Sequence, residues 1–139
     1  MGFSPTTLSF NSEIGFGSQA SGGRGGSVYV VTNLNDSGSG SFRDAVSQSN
    51  RVFSKTTRVH FSMLILSKIV VFAVGGVINI SSRIVVSNHI TIAGQTAPGQ
   101  GITVYGNGIS YSNANNTITR YIRYRMGKSG AYFVTISTR

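Results

Sequence analysis

The run "RYIRYRMGK", residues 120–128, concentrates the side chains best suited to binding or chemistry. In an extended strand successive side chains alternate between faces, so Arg123 and Arg125 share one face while Ile122, Tyr124 and Met126 share the other. Guanidinium groups interleaved with tyrosine rings can hold a polyanion by charge and stacking, whether an acidic polysaccharide or single-stranded nucleic acid. Arg123, Arg125 and Lys128 are therefore the candidate binding residues. The plainer reading, a solvated strand face whose acidic partners lie elsewhere, is preferred. Arg120 shares parity with Ile118 and Ile122, so a bend or bulge is needed to turn it outward.

Acid chemistry has little to work with. Glu13, Asp36 and Asp44 are the three carboxylates against twelve Lys and Arg, and all precede residue 45. A calcium ion takes about six to eight oxygens, usually several from carboxylates, so no calcium site and no other metal site can be named. Each acid has a structural role to fill: Glu13 in a loop, Asp36 in a Gly-Ser turn, Asp44 in a helix cap. His60 and His89 stand in no recognisable spacing to a nucleophile and an acid, and no catalytic residue is assigned. With no cysteine there is no disulfide, thiolate nucleophile or Cys-based zinc site. The Gly-rich stretch ending in "GFGSQASGGRGG" lacks the G-K-[ST] of a phosphate-binding loop and reads as a plain loop.

The elements that must position these side chains are short strands. Eighteen glycines, eight phenylalanines, six tyrosines and many Val, Ile, Ser, Thr and Asn favour β structure with tight turns, and 139 residues suit one domain. "SVYVVTNL" reads as a strand. Ser41 then opens a short helix near residues 41–47, with Asp44 three positions on as its capping-box partner and Phe42, Ala45 and Val46 on one face. From Ile69 onward "IVVFAV", "VINI", "RIVVS", "HITIAG", "ITVYG", "GISYS" and "TITRYIRYRM" are strands divided by Gly, Asn, Ser or Pro turns. Asn88-His89-Ile90-Thr91 and Asn116-Thr117-Ile118-Thr119 begin alike 28 residues apart, a spacing that suits one coil of a solenoid. An antiparallel sandwich is the competing arrangement. A formal net charge of +9 favours polyanionic partners without choosing among them.

Three long runs carry a family resemblance: "GGRGGSVYVVTNLNDSGSGSFRDAVSQ", "IVVFAVGGVINISSRIVVSNHITIAGQTAPGQGITVYGNG" and "NNTITRYIRYRMGKSG". They resemble the N-terminal third of fungal pectate lyases, of the first polysaccharide lyase family, over residues 14–51 and 69–130. The resemblance implies an all-β fold, the first coils of a right-handed parallel β-helix closed at its open end by a short capping helix. It also implies that residues 1–139 form part of such a domain.

In that family "NR" runs straight into "IVVFAVGG", which makes Val52 to Lys68 an insertion of 17 residues, or 51 nucleotides in frame. Val codons all begin GT and one Lys codon ends AG, the borders of a short spliceosomal intron. The segment 52–68 is therefore expected to be intron-derived and to stay out of the core, the alternative being a surface loop of unusual length. The tail 131–139, "AYFVTISTR", departs from the family pattern as well.

Members of the family cleave polygalacturonate by β-elimination, with calcium held by clustered Asp and an Arg as base. Those positions fall on later coils, so the resemblance implies calcium as cofactor but no calcium site in this chain, and the chain as given is expected to be inactive. A basic β-solenoid that binds acidic polysaccharide or RNA without cleaving it is the second reading. Polygalacturonate or pectin is the implied partner; a monomer is expected, with neither membrane nor nucleic acid bound. Relatives are extracellular, yet "MGFSPTTLSF" has neither the basic nor the apolar region of a signal peptide. "MGFSPT" also matches a myristoylation pattern too short to carry weight.

Overall fold

A computed structural model of the chain describes residues 19–47, 51–52, 64–65 and 67–127. In chain order the elements are β1 (Ser27–Val31), α1 (Phe42–Ser47), β2 (Arg51–Val52), β3 (Leu64–Ile65), β4 (Lys68–Phe72), β5 (Gly76–Ile80), β6 (Ile84–Val85), β7 (Ile90–Ala93), a 3₁₀ turn (Gly94–Thr96), β8 (Ile102–Gly106), β9 (Ile109–Ser110), β10 (Ile118–Arg120) and β11 (Ile122–Met126). Three parallel sheets form, in the orders β1-β4-β7-β10, β5-β8-β11 and β6-β9. Within these three sheets each strand pairs with the one a full circuit later rather than with its neighbour in sequence, which is the stacking of a parallel β-helix. An antiparallel sandwich is excluded by the same register.

Inward residues stack in columns along the coils. Tyr29, Val70, Ile92 and Thr119 align across the first sheet, and Ile78, Val104 and Tyr124 across the second. Val70, Ile78, Ile92 and Val104 are buried, with Val31, Phe72, Ile80, Ile84, Val86, Ile90 and Ile102 around them. β-branched side chains suit such columns because a pleated strand offers them one preferred rotamer and close neighbours above and below.

The helix α1 forms where the Ser41 signal predicted one, and it closes one end of this core, as the family resemblance implied. Phe42, Ala45 and Val46 are fully buried, and the Phe42 and Phe72 rings stack at 5.9 Å between centroids. Burying Phe42 contributes about 2–3 kcal/mol of transfer free energy. Ser41 Oγ accepts the Asp44 N–H at 3.2 Å, the expected N-cap bond. The reciprocal half of the capping box differs. The Ser41 N–H donates to Gly38 O at 3.2 Å, and the Asp44 carboxylate accepts the hydroxyl of Tyr29. Tyr29 reaches it because β1 runs beneath the helix with that ring turned inward.

Lys68, set apart in the sequence as the end of the insertion, is the first residue of β4. It pairs with Ser27 and Ile90, is only 9% exposed, and donates from Nζ to Ala45 O at 3.2 Å while its ammonium lies 5.5 Å from the Tyr29 ring centroid. A long apolar stem ending in a donor fits beneath the last turn of a helix, where carbonyls lack partners. At the other end of the excursion, β2 and β3 pair antiparallel with Arg51 opposite Ile65, so the backbone leaves and re-enters at one place. Residues 53–63, including His60, lie outside the described residues, as do Glu13, Lys128 and the tail 131–139.

Two expectations about periodicity are corrected. The sequence repeat of 28 is a coil of 27 here, since Thr91 pairs with Ile118. His89 and Asn116 both hold left-handed backbone, at φ 57 and 52, and stack with Asn116 Nδ2 3.3 Å from His89 Nε2. Matching corners, not matching letters, set the phase. The run 117–126 is also two strands in two sheets, divided at Tyr121, whose φ is 55. That corner resets the alternation: Ile118 and Arg120 share one side of β10, while Ile122 pairs with Ile102 and points inward.

Candidate functional site

The outer face of the β5-β8-β11 sheet is where the sequence candidates come together. Register places Val77, Thr103 and Arg123 in one outward column and Asn79, Tyr105 and Arg125 in the next. The two columns lie about 6.6 Å apart along the strands, and neighbouring strands about 4.8 Å apart. Val77, Asn79, Tyr105, Arg123 and Arg125 are exposed. Lys128, the third candidate, lies outside the described residues.

The two arginines have different surroundings. Arg123 Nε donates to Thr103 Oγ1 at 3.1 Å, and its Nη2 donates to the carbonyl of Gln100. Gly101, next to that carbonyl, accepts the Gly76 N–H at 2.9 Å. Arg123 therefore clamps the 97–101 loop to the sheet, which spends much of its hydrogen-bonding fork. Arg125 has no hydrogen bond or ion pair to any described residue. With no acid after Asp44 in the sequence, its charge is not neutralised by the strands around it.

Sequence reasoning missed Tyr105 and Asn79. Both show the strand alternation in "GVINI" and "ITVYG", but which strand lies beside which becomes visible only from the coil register. Tyr105 is 43% exposed, and its ring leans toward the end of β11, where a Cβ on Gly127 would stand 3.1 Å from its Cζ and hydroxyl oxygen. The absent side chain at Gly127 leaves that ring its place.

The two described acids are committed to closing the helix end. Asp36 pairs with Arg43 at 2.5 Å and accepts the N–H of Ser81 at 3.2 Å together with its hydroxyl. Burial alone would raise its pKa, but the bonds from Ser81 and Arg43 outweigh that and hold it below the usual carboxylate range. Arg43 also reaches Ser82 O at 2.9 Å. Burial, then the Asp44 hydrogen bond, raises the Tyr29 hydroxyl. No three His, Cys, Asp or Glu side chains gather among the described residues, so the donor set here does not fit calcium. His89 is used at its corner, its Nε2 beside Asn116, with Nδ1 buried and unpartnered. No described helix is long and apolar enough to cross a membrane.

Proteins with assigned names share much of this sequence. One named probable pectate lyase C, from Emericella nidulans, is 60% identical over 123 residues, which is 88% of this chain and 25% of its own length. Another of that name, from Aspergillus fumigatus, is 60% identical over 124 residues, 89% of this chain and 26% of its own. A third, from Aspergillus flavus, is 57% identical over 129 residues, 93% of this chain and 27% of its own. The chain thus spans about a quarter of the length of the curated relatives it matches. No family model matches it. Identity at this level over nearly the whole chain, joined to the parallel coils and capping helix, shows that the chain belongs to the pectate lyase family as a segment of a member.

Proposed function

We propose that this chain is the capped, substrate-attracting part of a secreted pectate lyase that cleaves polygalacturonate by β-elimination. Its identity of 57–60% to proteins named probable pectate lyase C supports this reading most directly. In that reaction a base takes the proton at C5, the electron pair forms the C4–C5 double bond, and the C4 oxygen leaves and is protonated. The C5 proton is only weakly acidic, so the step needs a positioned base and stabilisation of the charge growing on the uronate carboxylate. The described residues offer attraction through Arg125 and rigidity through the helix end. Ground-state attraction by itself does not lower the barrier. The cleavage machinery, including the calcium expected from the family, belongs to the remaining three quarters of such a protein.

The test is release of unsaturated uronides, followed by ultraviolet absorbance, from polygalacturonate with calcium or with chelator. The full-length Emericella nidulans relative should release product with calcium, and the 139-residue chain should release none. Product from the 139-residue chain would sink the division of labour proposed here. Absence of product from the full-length relative would sink the activity itself.

The second reading, a polysaccharide-binding module without catalysis, draws on the un-neutralised Arg125. Retention of the chain on immobilised polygalacturonate in chelator, with no product in either protein, would favour it.

A further inference from the structure

Resting on the acidic-polysaccharide reading, we infer that Asn79, Tyr105 and Arg125 form a built uronate subsite on the outer face of the β5-β8-β11 sheet. Three features converge. The residues are register partners on three consecutive coils, so their Cα atoms form a straight row at strand spacing, about 4.8 Å per step. That step is comparable to the span of one pyranose ring, so a sugar chain laid along the row meets a new side chain at each coil.

The chemistry also changes along the row in the order a uronate needs. Arg125 presents a guanidinium without a partner among the described residues, suited to two parallel bonds with a carboxylate. Tyr105 presents a ring that can pack on the apolar C–H face of a sugar while its hydroxyl stays wet. Asn79 supplies an amide that can both donate to and accept from hydroxyl groups.

The ring position is prepared rather than incidental. Gly127 N donates to Gly106 O at 2.9 Å, and the bare Cα of Gly127 lies where a side chain would press on the Tyr105 ring. Arg123, one column over, is held to Thr103 and Gln100 and so acts as a wall that positions the loop beside the row. A uronate bound here is held by one charge pair and one ring contact, which gives weak, additive binding that strengthens with the length of the sugar chain.

The occupant is an acidic polysaccharide rather than RNA. A single strand of RNA is held by successive aromatic faces along a basic groove, whereas this row has one ring.

The experiment is titration of the 139-residue chain with short oligogalacturonates in chelator, read by tyrosine fluorescence, since the chain has no tryptophan. Arg125→Gln and Tyr105→Ala should each weaken binding about five- to tenfold, the scale of one charge-assisted pair or one ring contact. Arg83→Gln removes the same charge from an exposed turn at another corner and should change binding less than about twofold. Full methyl esterification of the ligand should abolish the difference between Arg125→Gln and the parent. All variants should melt with the parent, because each altered side chain is exposed.

Equal losses from Arg83→Gln and Arg125→Gln would overturn the site in favour of diffuse attraction. So would equally tight binding of single-stranded RNA with the same sensitivities, or no binding by a chain that melts normally. Any of these, with the full-length relative still cleaving polygalacturonate, would remove the subsite and leave the lyase reading standing.

Discussion

The Lys68 ammonium donates to the Ala45 carbonyl at 3.2 Å, so the strand that opens the second coil caps the helix that closes the first. A second bond completes the join: Ser87 N donates to Val46 O at 2.9 Å. Two of the helix's last carbonyls are thus satisfied from the beginning and the end of one coil. The helix is tied in at both ends, since Arg43 and Asp36 also bind it to residues 81–83. The end of the β-helix is closed by polar bonds around an apolar plug.

Truncating Lys68 tests that join. Lys68→Ala should cost about 2–3 kcal/mol, from the lost stem packing and an unpaired Ala45 carbonyl, and Lys68→Met about 1 kcal/mol. Burial lowers the lysine's pKa below 10.5, partly opposed by the Asp44 charge. The folded state therefore releases this proton more readily than the unfolded state does. Stability should rise as pH climbs from the native pKa toward 10.5, and Lys68→Met should flatten that rise in urea titrations.

Asp36 should give a dependence of the same sign at the acid end of the scale. Its depressed pKa means that its contribution is complete above the ordinary value of 3.8 and is lost as pH falls through the native pKa. Asp36→Asn should destabilise the chain by about 1–2 kcal/mol at neutral pH, through weakened bonds to Ser81 and Arg43. The two proteins should converge in stability at acid pH, as followed by thermal melts. A constant gap across the range would mean that the carboxylate's charge is irrelevant.

Gly106 carries two demands at once. Its φ of +114 is outside the range of ordinary side chains, and a Cβ there would overlap the Ile80 carbonyl oxygen of the coil below. Gly106→Ala should lose more than about 2 kcal/mol, measured by denaturant unfolding. Gly38→Ala, where φ is +96 but the space is open, should lose less.

Arg123 should behave as a clamp. Arg123→Gln frees the Gln100 carbonyl, and the Gly76 amide, which donates to Gly101 O, should exchange its hydrogen about fivefold faster or more. Exchange at Ile92, in the other large sheet, should not change.

The helix and the strands were legible because local chemistry dictates them. Ser41 can cap only the turn of chain immediately after it, and Ile and Val in short runs between Gly and Asn turns have few other uses. Register was not legible, since it depends on corners formed by His89, Asn116 and Tyr121, residue types that enter left-handed backbone without announcing it. The same gap hid Tyr105 beside Arg125. The place of Lys68 in the stack was not legible, because a basic residue beside an unpatterned basic stretch looks like part of it. Only the helix above shows what its stem and ammonium are for.

The steps between paired strands vary: Lys68 meets Ile90 22 positions on, Thr91 meets Ile118 27 on, and Ile102 meets Ile122 20 on. What each coil must reproduce is the direction in which its corner sends the chain, not the number of residues spent in getting there. Length is therefore nearly free to drift at the corners, while the strands between them are not. Codons gained or lost at a bend need not shift any strand against its neighbour. Substitutions in the columns have no such freedom, so descent in this architecture should be recorded as length changes at the turns and conserved volume along the stacks.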